Sequence, residues 1–369
     1  MATEIRDAPR ETLLVTGFPG FIGARLLPRL LELRPGASVR CLVQPKFEAV
    51  ARASILQIEE AHAHTRGRIG VVLGDITEER LGLAPSPAAE LQRELTGAYH
   101  LAAVYDLAVR RDLAERINVQ GTRNVLRFLE GVPRLRRLDY VSTAYVSGTV
   151  KGVYRETDLD VGQAFKNHYE ETKFRAEVAV VESGLPFSVY RPGIVVGDSR
   201  TGETAKFDGP YFALTAMDRM PSPGFFMKIG SGNTTVNLVP VDFLVEALSR
   251  LSTSPAAGGK TYHLTDPSPA STREIETLFA KALGKSFLFV PVPGAAAKLF
   301  FSPRPIQALF GIPVQALDYF DHPCRYDSAI ATAELAALGI ACPRFPDYVQ
   351  RLVAFYLQQK GKVRREAMA

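Results

Sequence analysis

Tyr169 and Lys173 lie four residues apart in the run YEETK, which sets a phenol and an ammonium on one face of any helix that carries them. An ammonium so placed is expected to draw the phenol pKa down from about 10 toward neutrality, where it can give or take a proton at a carbonyl or carbinol. Upstream, LDYVSTAYVSG brings Ser142 and Thr143 to the end of an apolar run. The Thr143 hydroxyl can bond the same substrate oxygen and stabilise charge developing on it. A bare YxxxK is a frequent accident of helical sequence. The hydroxyls upstream and a glycine-rich turn near the N-terminus lift this one above that background.

That turn is TGFPGFIGARLL. Gly17 permits a tight turn, Gly20 lets backbone approach a diphosphate, and Gly23 allows a helix to sit close to a sheet. Gly17, Phe18, Gly20, Phe21, Ile22 and Gly23 therefore form a candidate dinucleotide cradle, with free N–H groups at the helix start. The end of the second apolar run, VRCLVQPK, bears on cofactor choice, because an acidic side chain there would select NAD. Gln44 is neutral and Lys46 cationic, and Arg25 on the first helix can lean toward the same pocket. These residues favour NADP(H), with NAD(H) as the alternative. Asp75 and Ile76 in GDIT, and Leu101, Ala102 and Ala103 in HLAAVYD, fall at the next two strand ends, where Asp75 can accept from an adenine amino group and the small alanines admit a flat ligand.

Apolar runs over 12–16, 39–43, 69–73, 98–102, 138–142 and 187–191 alternate with amphipathic segments such as 21–31, 113–129 and 169–181. This pattern predicts an α/β fold, a Rossmann-type doubly wound parallel sheet whose strands are buried on both faces. Asn167 with Glu170 signals a helix start, and Gly184 and Pro186 its end; Ser271 with Glu274 opens another helix running to about residue 283. Residues 1–200 are expected to form the NAD(P)-binding domain, with 235–265 able to complete its sheet, and 201–369 mainly a smaller C-terminal substrate-binding lobe. Stretches 201–237 and 290–313 look irregular and substrate-facing. Segments 211–227 and 288–310 suit a pocket wall or lobe core equally well, and 361–369 a frayed tail.

Composition narrows the classes. With 369 residues, 46% hydrophobic and 22% charged, the chain is neither disordered nor a small stapled scaffold. Cys41, Cys324 and Cys342 are far apart, which excludes a disulfide framework and a Cys-rich zinc site and fits a reducing cytosol. No run approaches the roughly 20 apolar residues of a spanning helix, and the acidic N-terminus is no signal peptide, so a cytoplasmic protein without an integral membrane segment is expected. The net charge of +5 is dispersed and argues against nucleic acid as a partner. His100, His168, His263 and His322 read as structural, with no metal site expected.

Taken together, TGFPGFIG, GDIT, HLAAVYD, NVQGTRNVL, VSTAYVSG, YEETK, YRPGIVVGD, NLVPVDFLVEAL and TYHLTD make the chain resemble an extended short-chain dehydrogenase/reductase over most of residues 11–266. VSTAYVSG, YEETKFRAE and YRPGIVVGDSRTGE are most similar to its thioester reductase and fatty acyl reductase branch, called male-sterility-like. The resemblance implies catalytic Thr143, Tyr169 and Lys173, Asn118 ordering the site, Ser142 near the cofactor, and a nicotinamide near Pro192, Gly193, Ile194 and Val195. It further implies NADPH-dependent reduction of an acyl thioester, aldehyde or ketone, the acyl group arriving on coenzyme A or a separate carrier protein, by a monomer or homodimer. A sugar-nucleotide epimerase or dehydratase, or a 3β-hydroxysteroid-type dehydrogenase, uses the same three residues, and a non-catalytic NAD(P)-binding sensor keeps the same fold.

Overall fold

The computed structural model describes residues 11–361 except 107, 230–231, 304, 308–313 and 320–321. Residues 362–369 of the expected tail and the end of the 290–313 stretch therefore lie outside the described residues.

The first half alternates strand and helix: β1 (Glu11–Thr16), α1 (Phe21–Leu33), β2 (Ala37–Val43), α2 (Glu48–Ala61), β3 (Ile69–Leu73), α3 (Pro85–Glu94) and β4 (Gly97–His100). Next come α4 (Arg111–Ala114), a π-helical segment (Glu115–Gln120), α5 (Gly121–Glu130), β5 (Leu138–Val141), β6 (Gly152–Tyr154), α6 (His168–Val181) and β7 (Phe187–Pro192). A seven-stranded sheet runs β11-β7-β5-β4-β1-β2-β3, where β11 is Thr261–Leu264. Every pairing in it is parallel, for example Leu13↔Val39 on one side of β1 and Leu13↔Gly97 on the other. Strand order reverses between β1 and β4, the switch point at which open α/β sheets bind ligands.

Alternation across the pleat explains the two layers. Leu13 and Val15 share one cluster with Leu26, Leu27, Leu30 and Leu31 of α1 and with Leu244 and Leu248 of α8 (Val241–Thr253). Leu14 faces the other way, into a cluster with Leu91 of α3, Val125 and Leu129 of α5 and Ala176 and Val180 of α6. Buried leucines such as Leu14 and Leu26 each contribute roughly 1.5–3 kcal/mol over exposure.

Three expectations about elements change. The helix expected over 113–129 is divided by the π-helical segment, because its widened turn carries Asn118 onto the backbone of Val104. The supposedly irregular 201–237 holds α7 (Tyr211–Arg219) and β9 (Gly224–Ile229), whose Tyr211, Leu214, Met217 and Phe226 are buried. They join a second core with α9 (Thr272–Ala282) and the C-terminal helix Phe345–Gln359. The 290–313 stretch begins with the end of β12 (Phe287–Val292) and then α10 (Gly294–Phe301), β12 pairing with β9. β8 (Ile194–Val196) pairs with β10 (Leu238–Pro240), and β13 (Cys324–Tyr326) returns to pair with β6. The helix Ala329–Ala337 adds Ala331 and Leu335 to the sheet-side core.

Candidate active site

At the end of β1 the backbone turns at Gly17 with φ +85, and a Cβ there would stand 2.8 Å from Ala102 N and from Leu101 C. A side chain is excluded both by conformation and by the end of β4 lying over it. A Cβ on Gly20 would meet Gly17 O at 2.6 Å and one on Gly23 would meet it at 2.9 Å, so the helix packs on the glycine turn itself. Gly20 caps α1 without a side-chain bond, which leaves first-turn N–H groups for an anion. Phe18 is buried in the sheet core and Phe21 and Ile22 pack against it, so these three can offer a ligand mainly backbone.

Gln44 and Asp75 meet at the ends of β2 and β3, where Gln44 Nε2 donates to Asp75 Oδ2 at 2.8 Å and Thr77 N to Oδ1 at 2.8 Å. Beside them lies a cavity of about 430 Å³ whose lining includes Gln44, Lys46, Asp75, Thr77, Arg116 and Ile117. Arg25, expected to lean into this pocket, is held elsewhere. It donates to Glu203 Oε1 at 2.7 Å and lies 4.3 Å from the centre of the Phe21 ring. Glu203 is 178 residues away, so nothing near Arg25 in sequence announced this. Arg116 and Ile117 come from the π-helical segment; an arginine one turn into an amphipathic helix carried no signal that would have placed it there. Ile76 is buried in the core against Gly121, and it is absent from the cavity lining.

Thr143 follows β5 and caps a short 3₁₀ turn, its Oγ1 accepting from Tyr145 N at 3.3 Å. Asn167 Oδ1 accepts from Glu170 N at 3.0 Å to start α6, the cap expected from sequence. The first turns of α6 then carry Tyr169 and Lys173. The Tyr169 hydroxyl interacts with that of Thr143. Asn118 is buried, accepts from Val104 N at 2.9 Å and donates to Thr172 Oγ1 at 3.0 Å, tying the end of β4 to the same helix. Ser142 sits beside Thr143 with its Oγ buried and unpartnered among the described residues. Gly193 lies under Asn237, whose backbone O would be 2.6 Å from a Cβ, and Pro192, Ile194 and Val195 flank it on β7 and β8.

The electrostatics depart from expectation. Desolvation pushes the Tyr169 phenol up to about 12, partly opposed by its bond to Thr143, and not down toward neutrality. Lys173 directs its Nζ to Tyr140 Oη at 2.7 Å and Val141 O at 2.9 Å, with no hydrogen bond to Tyr169. Burial lowers the Lys173 ammonium to about 7, partly opposed by Glu177. Glu177, one turn further on, is paired at 2.6 Å with the buried Arg191, a contact the sequence reading missed. His100 bonds Thr16 Oγ1 at 2.7 Å and Thr122 Oγ1 at 3.0 Å, and burial lowers it to about 3, so it is a neutral structural group.

A glycine turn that no side chain can enter, unspent helix N–H groups, an orphan hydroxyl at a strand end and a cavity at the adjoining ends of β2 and β3 fit a dinucleotide. Fold and glycine turn together are those of an NAD(P)-binding protein of the extended short-chain dehydrogenase/reductase type. A family model described as male sterility protein matches residues 15–248, and the chain belongs to that family. The glycine betaine reductase ATRR of Emericella nidulans is 31% identical over 288 residues, 72% of this chain and 22% of that one. The fatty acyl-CoA reductase wat of Drosophila melanogaster is 25% identical over 271 residues, 64% of this chain and 53% of its own length. The solved terminal R domain from the myxalamid PKS-NRPS biosynthetic pathway matches with TM-score 0.82 and 27% identity, covering 97% of this chain and 93% of that one. The chain spans about half or less of the length of these curated relatives. Among the described residues no helix is long and apolar enough to cross a membrane, and no group of His, Cys, Asp or Glu could hold a metal.

Proposed function

We propose that this chain is an NADP(H)-dependent reductase that acts on the carbonyl of an acyl thioester, or of the aldehyde or ketone derived from it. The supporting observation is the convergence of Thr143, Tyr169 and Lys173 at the ends of β5 and α6, on the same edge of the sheet as the glycine turn. NADP(H), when bound, supplies the hydride to the carbonyl carbon. The glycine turn and the first turn of α1 would hold its diphosphate, Asp75 its adenine, and Lys46 beside neutral Gln44 would favour the phosphorylated form. A phenol raised to about 12 stays protonated at neutral pH, so Tyr169 acts as the acid and delivers its proton to the carbonyl oxygen. Thr143 donates to that oxygen as charge grows on it, and Lys173 is assigned the ribose.

Residues 1–200 with 235–265 serve as the cofactor domain, and the core around α7, α9 and Phe345–Gln359 as the substrate lobe. The acyl group would come on coenzyme A or a separate carrier, as the resemblance to terminal R domains supports. The sugar-nucleotide epimerase alternative is supported by likeness of fold alone.

The test is a fluorescence titration with NADPH and NADH, followed by single-turnover oxidation of bound NADPH with acyl thioesters, aldehydes and ketones. Tyr169→Phe is expected to slow turnover roughly 10²–10⁴-fold while leaving NADPH binding intact. Protein that copurifies with tightly held NAD and consumes no NADPH with any of these substrates would overturn the proposal in favour of an epimerase.

A further inference from the structure

Arg116 was not among the residues that sequence singled out, yet it lines the cavity at the ends of β2 and β3 together with Lys46. Its side chain is exposed and has no hydrogen-bond or ion-pair partner among the described residues. The acidic groups on its own segment are committed elsewhere: Glu115 receives both terminal nitrogens of Arg175 at 2.5 and 2.9 Å, and Asp112 pairs with Arg110. The single carboxylate in the lining, Asp75, already accepts on both oxygens from Gln44 and Thr77. Two cations thus share the lining with one carboxylate, and Arg116 has no acidic partner of its own, which makes the site complementary to an anion.

We infer that Arg116 is a specificity residue for a phosphate monoester on an adenosine ribose, binding the 2′-phosphate of NADP(H) together with Lys46. The role that sequence had offered to Arg25 passes to it. A guanidinium offers two parallel N–H donors to phosphate oxygens, which a neutral 2′-hydroxyl would not use. This inference rests on the NADP(H) reading. Adenosine carrying a 3′-phosphate, as in coenzyme A, has the same chemistry with a different attachment, and the experiment separates the two.

Wild type, Arg116→Ala and Arg116→Gln would be titrated with NADPH and NADH by fluorescence. Calorimetry would follow with adenosine 2′,5′-bisphosphate, adenosine 3′,5′-bisphosphate and adenosine 5′-monophosphate. Because Arg116 is exposed, both variants should keep the wild-type melting temperature. The expected result is that each weakens NADPH and the 2′,5′-bisphosphate roughly ten-fold or more, leaving NADH and the monophosphate unchanged. A wild type that prefers NADPH while both variants keep that preference sinks the assignment of Arg116 alone. A wild type that binds NADH as tightly as NADPH sinks the NADP(H) reading with it. Tighter binding of the 3′,5′-bisphosphate than of the 2′,5′ isomer, lost in the variants, would assign Arg116 to coenzyme A and overturn the inference as stated.

Discussion

Lys173, one helical turn beyond the candidate catalytic phenol, is buried at 3% exposure, and its charge is costly there, which is why its ammonium falls to about 7 from an unfolded value near 10.5. Between those values the unfolded chain binds the proton and the folded chain does not, so stability rises with pH across that window and the penalty is complete below about 7. Lys173→Met removes the titration. The melting temperature of this variant relative to wild type is therefore expected to be highest at pH 6 and to fall steadily toward pH 9. A constant difference across that range would show that the ammonium is not destabilised by burial. At the same scale, the pairing of Tyr169 with Lys173 on one face was legible in the sequence, whereas the direction of the phenol shift was not. Spacing reveals which charge is near; desolvation depends on everything packed around both groups.

At the scale of elements, the glycine turn is where sequence and structure agree most closely, since Gly17 is required both by its positive φ and by the backbone of Leu101 and Ala102. Gly17→Ala is expected to cost about 1–3 kcal/mol in unfolding free energy and to abolish dinucleotide binding. Gly36→Ala is a fair control, because a Cβ there meets nothing within 4 Å, and it should stay within about 0.5 kcal/mol of wild type. Equal effects in urea denaturation would refute the steric account of the turn. Helix starts at Asn167 and Ser271 were also legible, since a cap is a local bond between residues three apart. The π-helical segment was not, because its cause is a contact between Asn118 and Val104.

For the whole molecule, buried polar groups add to the shared apolar core that binds the second half of the chain to the first. Glu156, which follows β6, accepts from His263 N of β11 at 2.9 Å and from Ile330 N and Ala331 N at 2.7 and 3.0 Å. One carboxylate thereby fixes an edge strand of the sheet and the start of the helix Ala329–Ala337. Glu156→Ala orphans these donors and is expected to cost about 3 kcal/mol or more, read as a lower urea midpoint. A midpoint unchanged from wild type would mean that water replaces the carboxylate without loss.

The residue order by itself determined six parallel strands, to within a residue or two at their ends, because strands buried on both faces must be continuous apolar runs. It also determined the glycine turn and the helix caps, which are local consequences of backbone sterics and hydrogen bonding. Only tertiary structure decided that Arg25 goes to Glu203 and Arg116 to the cavity, that β13 returns to pair with β6, and that Lys173 reaches Tyr140. The physical reason is the same in each case. A long flexible side chain or a short strand is stabilised by partners far away in sequence, and those partners are chosen only when the layers close and water is excluded between them.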